Sequence, residues 1–143
     1  MKSRFLILSL VVLAPLLLIA CIPAGKETAI AVNCDEFAKQ KAVTKDLAAG
    51  VGDNIKLSLC SNRTTGFSWA EKSQISDNQV LEQTGHDFIT PVKDSKLVGA
   101  PGTEVWTFKA LKAGKSTVHV DYDQPWQGGQ KAAWTFTLNI TVQ

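Results

Sequence analysis

The side chains that could do acid–base chemistry near neutral pH are few. His86 and His119 are the only two histidines, and a nucleophile needs a partner base plus a third group that orients the base. His119 falls within an alternating strand pattern, where a solvated or structural imidazole is expected. Asp121 and Asp123 stand near Trp126, but two carboxylates without a metal or a cleft read as a polar loop shoulder. No phosphate-binding loop, dinucleotide fingerprint or zinc signature occurs, and neither histidine has ligand spacing to a cysteine. The expectation is a protein that is not an enzyme and that uses no metal and no cofactor.

Three turn-rich segments offer a different chemistry, that of a preformed contact surface. The first is Asn62-Arg63-Thr64-Thr65-Gly66, which leads into Phe67 and Trp69. Asn62 can cap a turn with its own side chain, the threonines are stiff at χ1, and Gly66 allows positive φ. Alone, this segment reads as a plain hairpin turn before it reads as a site. The second is Gly99-Ala100-Pro101-Gly102, whose glycines permit close backbone approach or simply form a turn. The third is Gln124-Pro125-Trp126, followed by Gln127-Gly128-Gly129. A tryptophan between a proline and a glycine pair is hard to bury, and tryptophan is the residue type most enriched at binding hot spots. Its alternative role is a plug folded over the end of the core.

The elements that must hold these segments show a period of two. Ile55, Leu57 and Leu59 alternate with polar neighbours, as do Trp106, Phe108 and Ala110, then Val118, Val120 and Tyr122. The last stretch is the clearest, with Trp134, Phe136, Leu138, Ile140 and Val142 on one side. Residues 43–48 and 79–83 are weaker strand candidates, and residues 34–40 are undecided between a helical turn and irregular chain. Short strands punctuated by Gly, Pro and Asn predict an all-β, antiparallel sandwich.

The first twenty residues stand apart. Lys2 and Arg4 precede an apolar run over residues 5–18, too short and too interrupted by Pro15 for a membrane span, which is signal-peptide anatomy. Leu18-Ile19-Ala20-Cys21 resembles a bacterial lipobox, so Cys21 is expected to carry lipid; an ordinary cleavage near Ala20 is the alternative. The predicted organisation is a signal peptide over 1–20, a lipidated cysteine and tether over 21–42, and one domain over 43–143. Removing residues 1–20 takes two of the 15 basic residues and none of the 13 acidic ones, so 13 face 13 and the mature chain is formally neutral. The basic residues form no stripe, which argues against nucleic acid as a partner. In an exported setting Cys34 and Cys60 are expected to pair as a disulfide worth roughly 3–4 kcal/mol, with two buried thiols as the alternative.

Taken together, the three segments resemble the chagasin-like inhibitors of papain-family cysteine peptidases. That pattern runs Asn-Pro-Thr-Thr-Gly, Gly-x-Gly-Gly and Arg-Pro-Trp. It is met here by Asn62–Gly66, Gly99–Gly102 and Gln124–Trp126, with Gly66-Phe67-x-Trp69, Trp106-x-Phe108-x-Ala110 and Tyr122 as matching surroundings. The resemblance implies an immunoglobulin-like sandwich whose three loops lie at one end and enter a peptidase cleft. It implies contacts from Asn62, Arg63, Thr64, Thr65, Gly66, Phe67, Gly99, Ala100, Pro101, Gly102, Gln124, Pro125 and Trp126. It also implies reversible inhibition, and the expected state is a monomer; the lipobox-like ending at Cys21 adds the expectation of a lipid anchor at the cell envelope, with the domain outside the cytoplasm. Arg63, Ala100-Pro101 and Gln124 depart from the pattern, which predicts a looser, more charged tip and a lost cation at the third loop. Two readings of another class compete: an adhesion or envelope-assembly lipoprotein, and a carbohydrate-binding sandwich using Trp126 and Trp69.

Overall fold

The computed structural model describes residues 25–90 and 99–143, so the signal segment, Cys21 and Val98 lie outside it. In chain order the elements are β1 (Glu27–Val32), α1 (Cys34–Lys39), β2 (Ala42–Ala49), β3 (Asn54–Ser61), β4 (Ser68–Trp69), β5 (Gln74–Ile75), β6 (Leu81–Ile89), β7 (Gly102–Ala110), β8 (Gly114–Asp123) and β9 (Trp134–Val142). One sheet runs β1-β3-β7-β6 and the other β2-β9-β8-β4, with β5 also on β8. The two faces meet over the residues that alternation selected: Ile55, Leu57, Leu59, Trp106, Phe108, Val118, Val120, Phe136 and Leu138 are all wholly buried. Burying one face of each strand is what drives two sheets together.

The sandwich is not purely antiparallel. β1 pairs with β3 in parallel, and β2 pairs with β9 in parallel. The cause is α1, which carries the chain across the end of the sandwich from one sheet to the other. β1 therefore stops beside Leu59, at the end where β3 finishes, and β2 starts beside Thr135, where β9 begins.

The segment expected to be a tether is largely part of the fold. β1 is a sheet strand, and Phe37 of α1 is wholly buried in the main core. The helix is short but well specified. Asn33 caps it by accepting the Glu36 amide at 2.9 Å, Asp35 and Glu36 lie in its first turn, and Lys39 lies in its last. Acids at the start and a base at the end complement the helix dipole. Cys34 and Cys60 are disulfide-bonded with Cα atoms 5.2 Å apart, within the usual range. The bond ties the start of α1 to the end of β3. The weak edge strand expected at 79–83 is the longer β6.

The far end of the sandwich is closed by the turn before β3. Asp53 accepts the Gly50 amide at 2.7 Å and the Lys26 amide at 2.8 Å, which holds its carboxyl below the ordinary aspartate range. A carboxylate lowered in the folded state stabilises above its unfolded pKa, and that contribution disappears as pH falls through the lowered value. Urea midpoints measured from about pH 5 down to about pH 2 are expected to fall less steeply for Asp53→Asn than for the parent chain.

Candidate functional site

The strand registers bring the three segments to one end. Ser61 pairs with Gly102, Ser68 with Asp123, and Tyr122 with Trp134. The chain between Ser61 and Ser68, the chain entering Gly102, and the chain from Asp123 to Trp134 must all emerge together. This is also the end that α1 covers.

Asn62 joins the loops. Its amide donates to the Tyr122 hydroxyl at 2.8 Å, and its Nδ2 donates to the Gly99 carbonyl at 3.1 Å. Its Oδ1 accepts the Thr64 amide at 3.2 Å and the Thr64 hydroxyl at 2.6 Å. The first loop thereby becomes a 3-10 turn over Arg63–Thr65, capped at one end by Asn62 and at the other by Gly66 at φ 82°. The Thr65 hydroxyl closes back on the Asn62 carbonyl at 2.6 Å. A side-chain cap of this kind stabilises by about 0.5–2 kcal/mol. Asn62→Ala is expected to lose about that much, read as a lower midpoint in urea unfolding.

Arg63 is not a loose charge at the tip. Its guanidinium turns inward to Glu104, with Nη2 3.2 Å from Oε2, and lies 4.1 Å from the centre of the Phe88 ring. Glu104 is wholly buried, and it also receives the Ser61 hydroxyl at 2.7 Å, the Trp69 amide at 3.2 Å and a contact to His86 Nε2 at 3.0 Å. Sequence reading missed Glu104, although its signal was present. It shares strand parity with Trp106 and Phe108, so alternation aims its carboxylate at the core.

In the second loop the residues divide. Gly99, at φ 87°, supplies the carbonyl that Asn62 binds, and Ala100 and Pro101 follow at the surface. Gly102 does not join them. It is buried in β7, and a Cβ there would lie 2.6 Å from the Ile89 carbonyl oxygen and 2.7 Å from the Phe88 ring. Its missing side chain allows β7 and β6 to pack closely within the fold.

Gln124, which stands where the pattern has arginine, is bonded within its own loop. Its Oε1 accepts the Gln130 amide at 3.0 Å and its own amide donates to the Gln130 carbonyl at 2.9 Å, bracing the third loop. Trp126 is 51% exposed, so it does not plug the core. Its six-membered ring lies over Gly66, close enough that a Cβ on Gly66 would sit 2.6 Å from Cη2. The outer loop thus leans on the central one. Phe67 stacks on Tyr122 at 5.5 Å and is half-buried, supporting the tip from below.

The plug is Phe37. It stacks on Trp134 at 5.2 Å and packs against Trp69 at 5.0 Å, while Trp69 and Trp134 each lie against Tyr122. This aromatic floor carries the hydroxyl that holds Asn62. His119 stands elsewhere, on the outer face of β8, within 3.0 Å of both Thr137 and Asp121.

Comparison with known proteins fits this geometry. Residues 48–140 match the family described as Chagasin family peptidase inhibitor I42. Chagasin of Trypanosoma cruzi is 34% identical over 96 residues, which span 66% of this chain and 86% of that protein. The cysteine protease inhibitor EhICP2 of Entamoeba histolytica has a similar fold, with a TM-score of 0.62 at 21% identity over 82% of this chain and 97% of that one. PbICP-C, solved in complex with falcipain-2, gives a TM-score of 0.54 at 19% identity over 83% of this chain and 100% of that one. The chain belongs to the chagasin family of peptidase inhibitors.

Proposed function

We propose that this protein is a reversible inhibitor of papain-like cysteine peptidases. It fills the active-site cleft with the 62–66 tip, and the cleft walls are gripped by Gly99–Pro101 on one side and Gln124–Trp126 on the other. The single observation that carries the reading is the Asn62 tie, which joins the first loop to Gly99 of the second and to Tyr122 at the root of the third, so that with Trp126 resting on Gly66 the three loops are braced together before any partner arrives. Rigid loops lose little entropy on docking, so an interface of about 800 Å² per partner is enough for tight binding.

The tip's geometry also supports inhibition without consumption. A thiolate attacks a carbonyl that is accessible and placed in line. The Asn62 carbonyl already accepts the Thr65 amide at 3.1 Å as well as its hydroxyl, and the Arg63 carbonyl accepts the Gly66 amide at 3.1 Å. The turn therefore presents backbone that is curled and internally bonded, unlike an extended substrate.

Export and lipidation at Cys21 complete the proposal. β1 starts beside Asn54, at the end of the sandwich away from the loops. Five residues separate Cys21 from Glu27, a reach of at most roughly 20 Å. An anchor there would leave the inhibitory edge facing away from the membrane. Titration of the mature chain against papain and a cathepsin tests the inhibitory reading. Stoichiometric loss of peptidase activity is expected, and full activity of several such enzymes at micromolar protein would overturn it. Radiolabelled palmitate incorporation that Cys21→Ser abolishes tests the anchor separately.

A further inference from the structure

We propose that Glu104 is a positioning residue for the inhibitory tip, acting through Arg63 as a buried clamp on the first loop. This rests on the reading of the 62–66 tip as the inhibitory centre. A buried carboxylate is tolerated only when it is paired and hydrogen-bonded. Three of its four partners lie on the first loop or on the strands that enter and leave it. Ser61 is the last residue of the incoming strand, Arg63 is in the tip, and Trp69 is in the outgoing strand. One carboxylate thus fixes both stems of the loop and its apex. The fourth partner, His86, stands on the neighbouring β6 and is packed on Trp106, with ring centres 4.9 Å apart.

Arg63 is suited to be the moving part of this clamp. It makes two contacts to the carboxylate, Nε to Oε1 at 3.4 Å and Nη2 to Oε2 at 3.2 Å. A forked guanidinium restrains direction as well as distance, which a single lysine-like charge would not do. The Phe88 ring closes the other side with a cation–π contact. Arg63 is also the first residue of the 3-10 turn. That position favours proline, whose ring presets φ and whose missing N–H is not needed there. The restraint that a ring would apply through the backbone is applied here through the side chain. The clamp makes tip shape depend on a pair 41 residues apart in sequence.

The test uses Arg63→Ala, Glu104→Gln, Arg63→Pro and the double variant Arg63→Pro/Glu104→Gln in the mature chain. Two quantities are read, hydrogen exchange at the Thr64, Thr65 and Gly66 amides and the inhibition constant for papain. Arg63→Ala and Glu104→Gln are each expected to speed exchange at these amides and weaken inhibition about tenfold, the effect of losing loop preorganisation. The double variant is expected to recover slow exchange and most of the inhibition, because a proline ring restrains the turn without the ion pair. Arg63 is partly exposed, so Arg63→Ala remains informative even where Glu104→Gln unfolds. Unchanged exchange in Arg63→Ala overturns the clamp. So does a Glu104→Gln chain that melts lower but keeps the parent's tip exchange and inhibition, since that is a purely structural role. If the parent chain inhibits no papain-like peptidase, the functional reading fails, while the exchange data still decide the clamp.

Discussion

Replacing Trp126 by alanine is expected to weaken inhibition of a papain-like peptidase by about 2 kcal/mol or more, roughly thirtyfold in the inhibition constant. The unfolding midpoint should barely move. The reason for the asymmetry is that Trp126 is 51% exposed and lies outside the buried core, so its truncation leaves no cavity. What truncation removes is a large, rigid apolar surface carried next to the φ-restricted Pro125. It also removes the ring that rests on Gly66. That contact makes a second, coupled result available. A methyl group on Gly66 meets both an unfavourable φ of 82° and the Trp126 ring at 2.6 Å, so Gly66→Ala should weaken inhibition partly by displacing Trp126. The two substitutions should then combine to less than the sum of their separate effects, as contacting residues do. An unchanged inhibition constant for Trp126→Ala would remove the third loop from the interface.

The fold was legible wherever one face of a strand is buried. Periodicity marked β3, β7, β8 and β9 because apolar and polar positions alternate there, and it aligned their inward residues correctly. It did not reveal β1 and left α1 undecided, for a physical reason. The outward residues of β1, Ala29 and Ala31, are themselves apolar, so they give little contrast with the inward Thr28, Ile30 and Val32, and a six-residue helix is too short to show a 3.6-residue stripe. Their places are fixed by non-local events, namely parallel pairing, the disulfide and the burial of Phe37. The same split holds at the site. Asn62, Gly66 and Trp126 were legible because cap, positive φ and exposed tryptophan are local chemistry. The buried place of Gly102 in β7 was not legible, because a glycine that makes room for a partner and one that makes room for its own neighbouring strand look alike in sequence. Arg63 was read as a lost backbone restraint and Gln124 as a lost cation. What holds each of them in place, Glu104 and the Gln130 backbone, depends on the folded chain. Glu104 is different, since its inward parity was readable and was passed over.

Phe37→Ala should destabilise the fold by about 3–5 kcal/mol, the range for emptying a buried aromatic site. That is a large share of the 5–15 kcal/mol by which a domain of this size is typically stable. The size of the effect follows from what surrounds the ring. Phe37 is wholly buried between Trp134, in a near-parallel stack, and Trp69, and indoles held in separate strands cannot collapse into the space it would leave. The Cys34–Cys60 bond holds α1 in place, so the helix should stay near while its core contact is lost. The consequence should reach the inhibitory edge. Trp69 and Trp134 pack on Tyr122, and the Tyr122 hydroxyl holds the Asn62 amide. Loosening the floor therefore loosens the tie between the loops. Phe37→Leu, which keeps most of the volume, should retain most of both stability and inhibition. Urea unfolding and papain titration of the two variants separate this from the alternative in which residues up to 42 are only a tether. On that alternative, Phe37→Ala would be silent in both measurements.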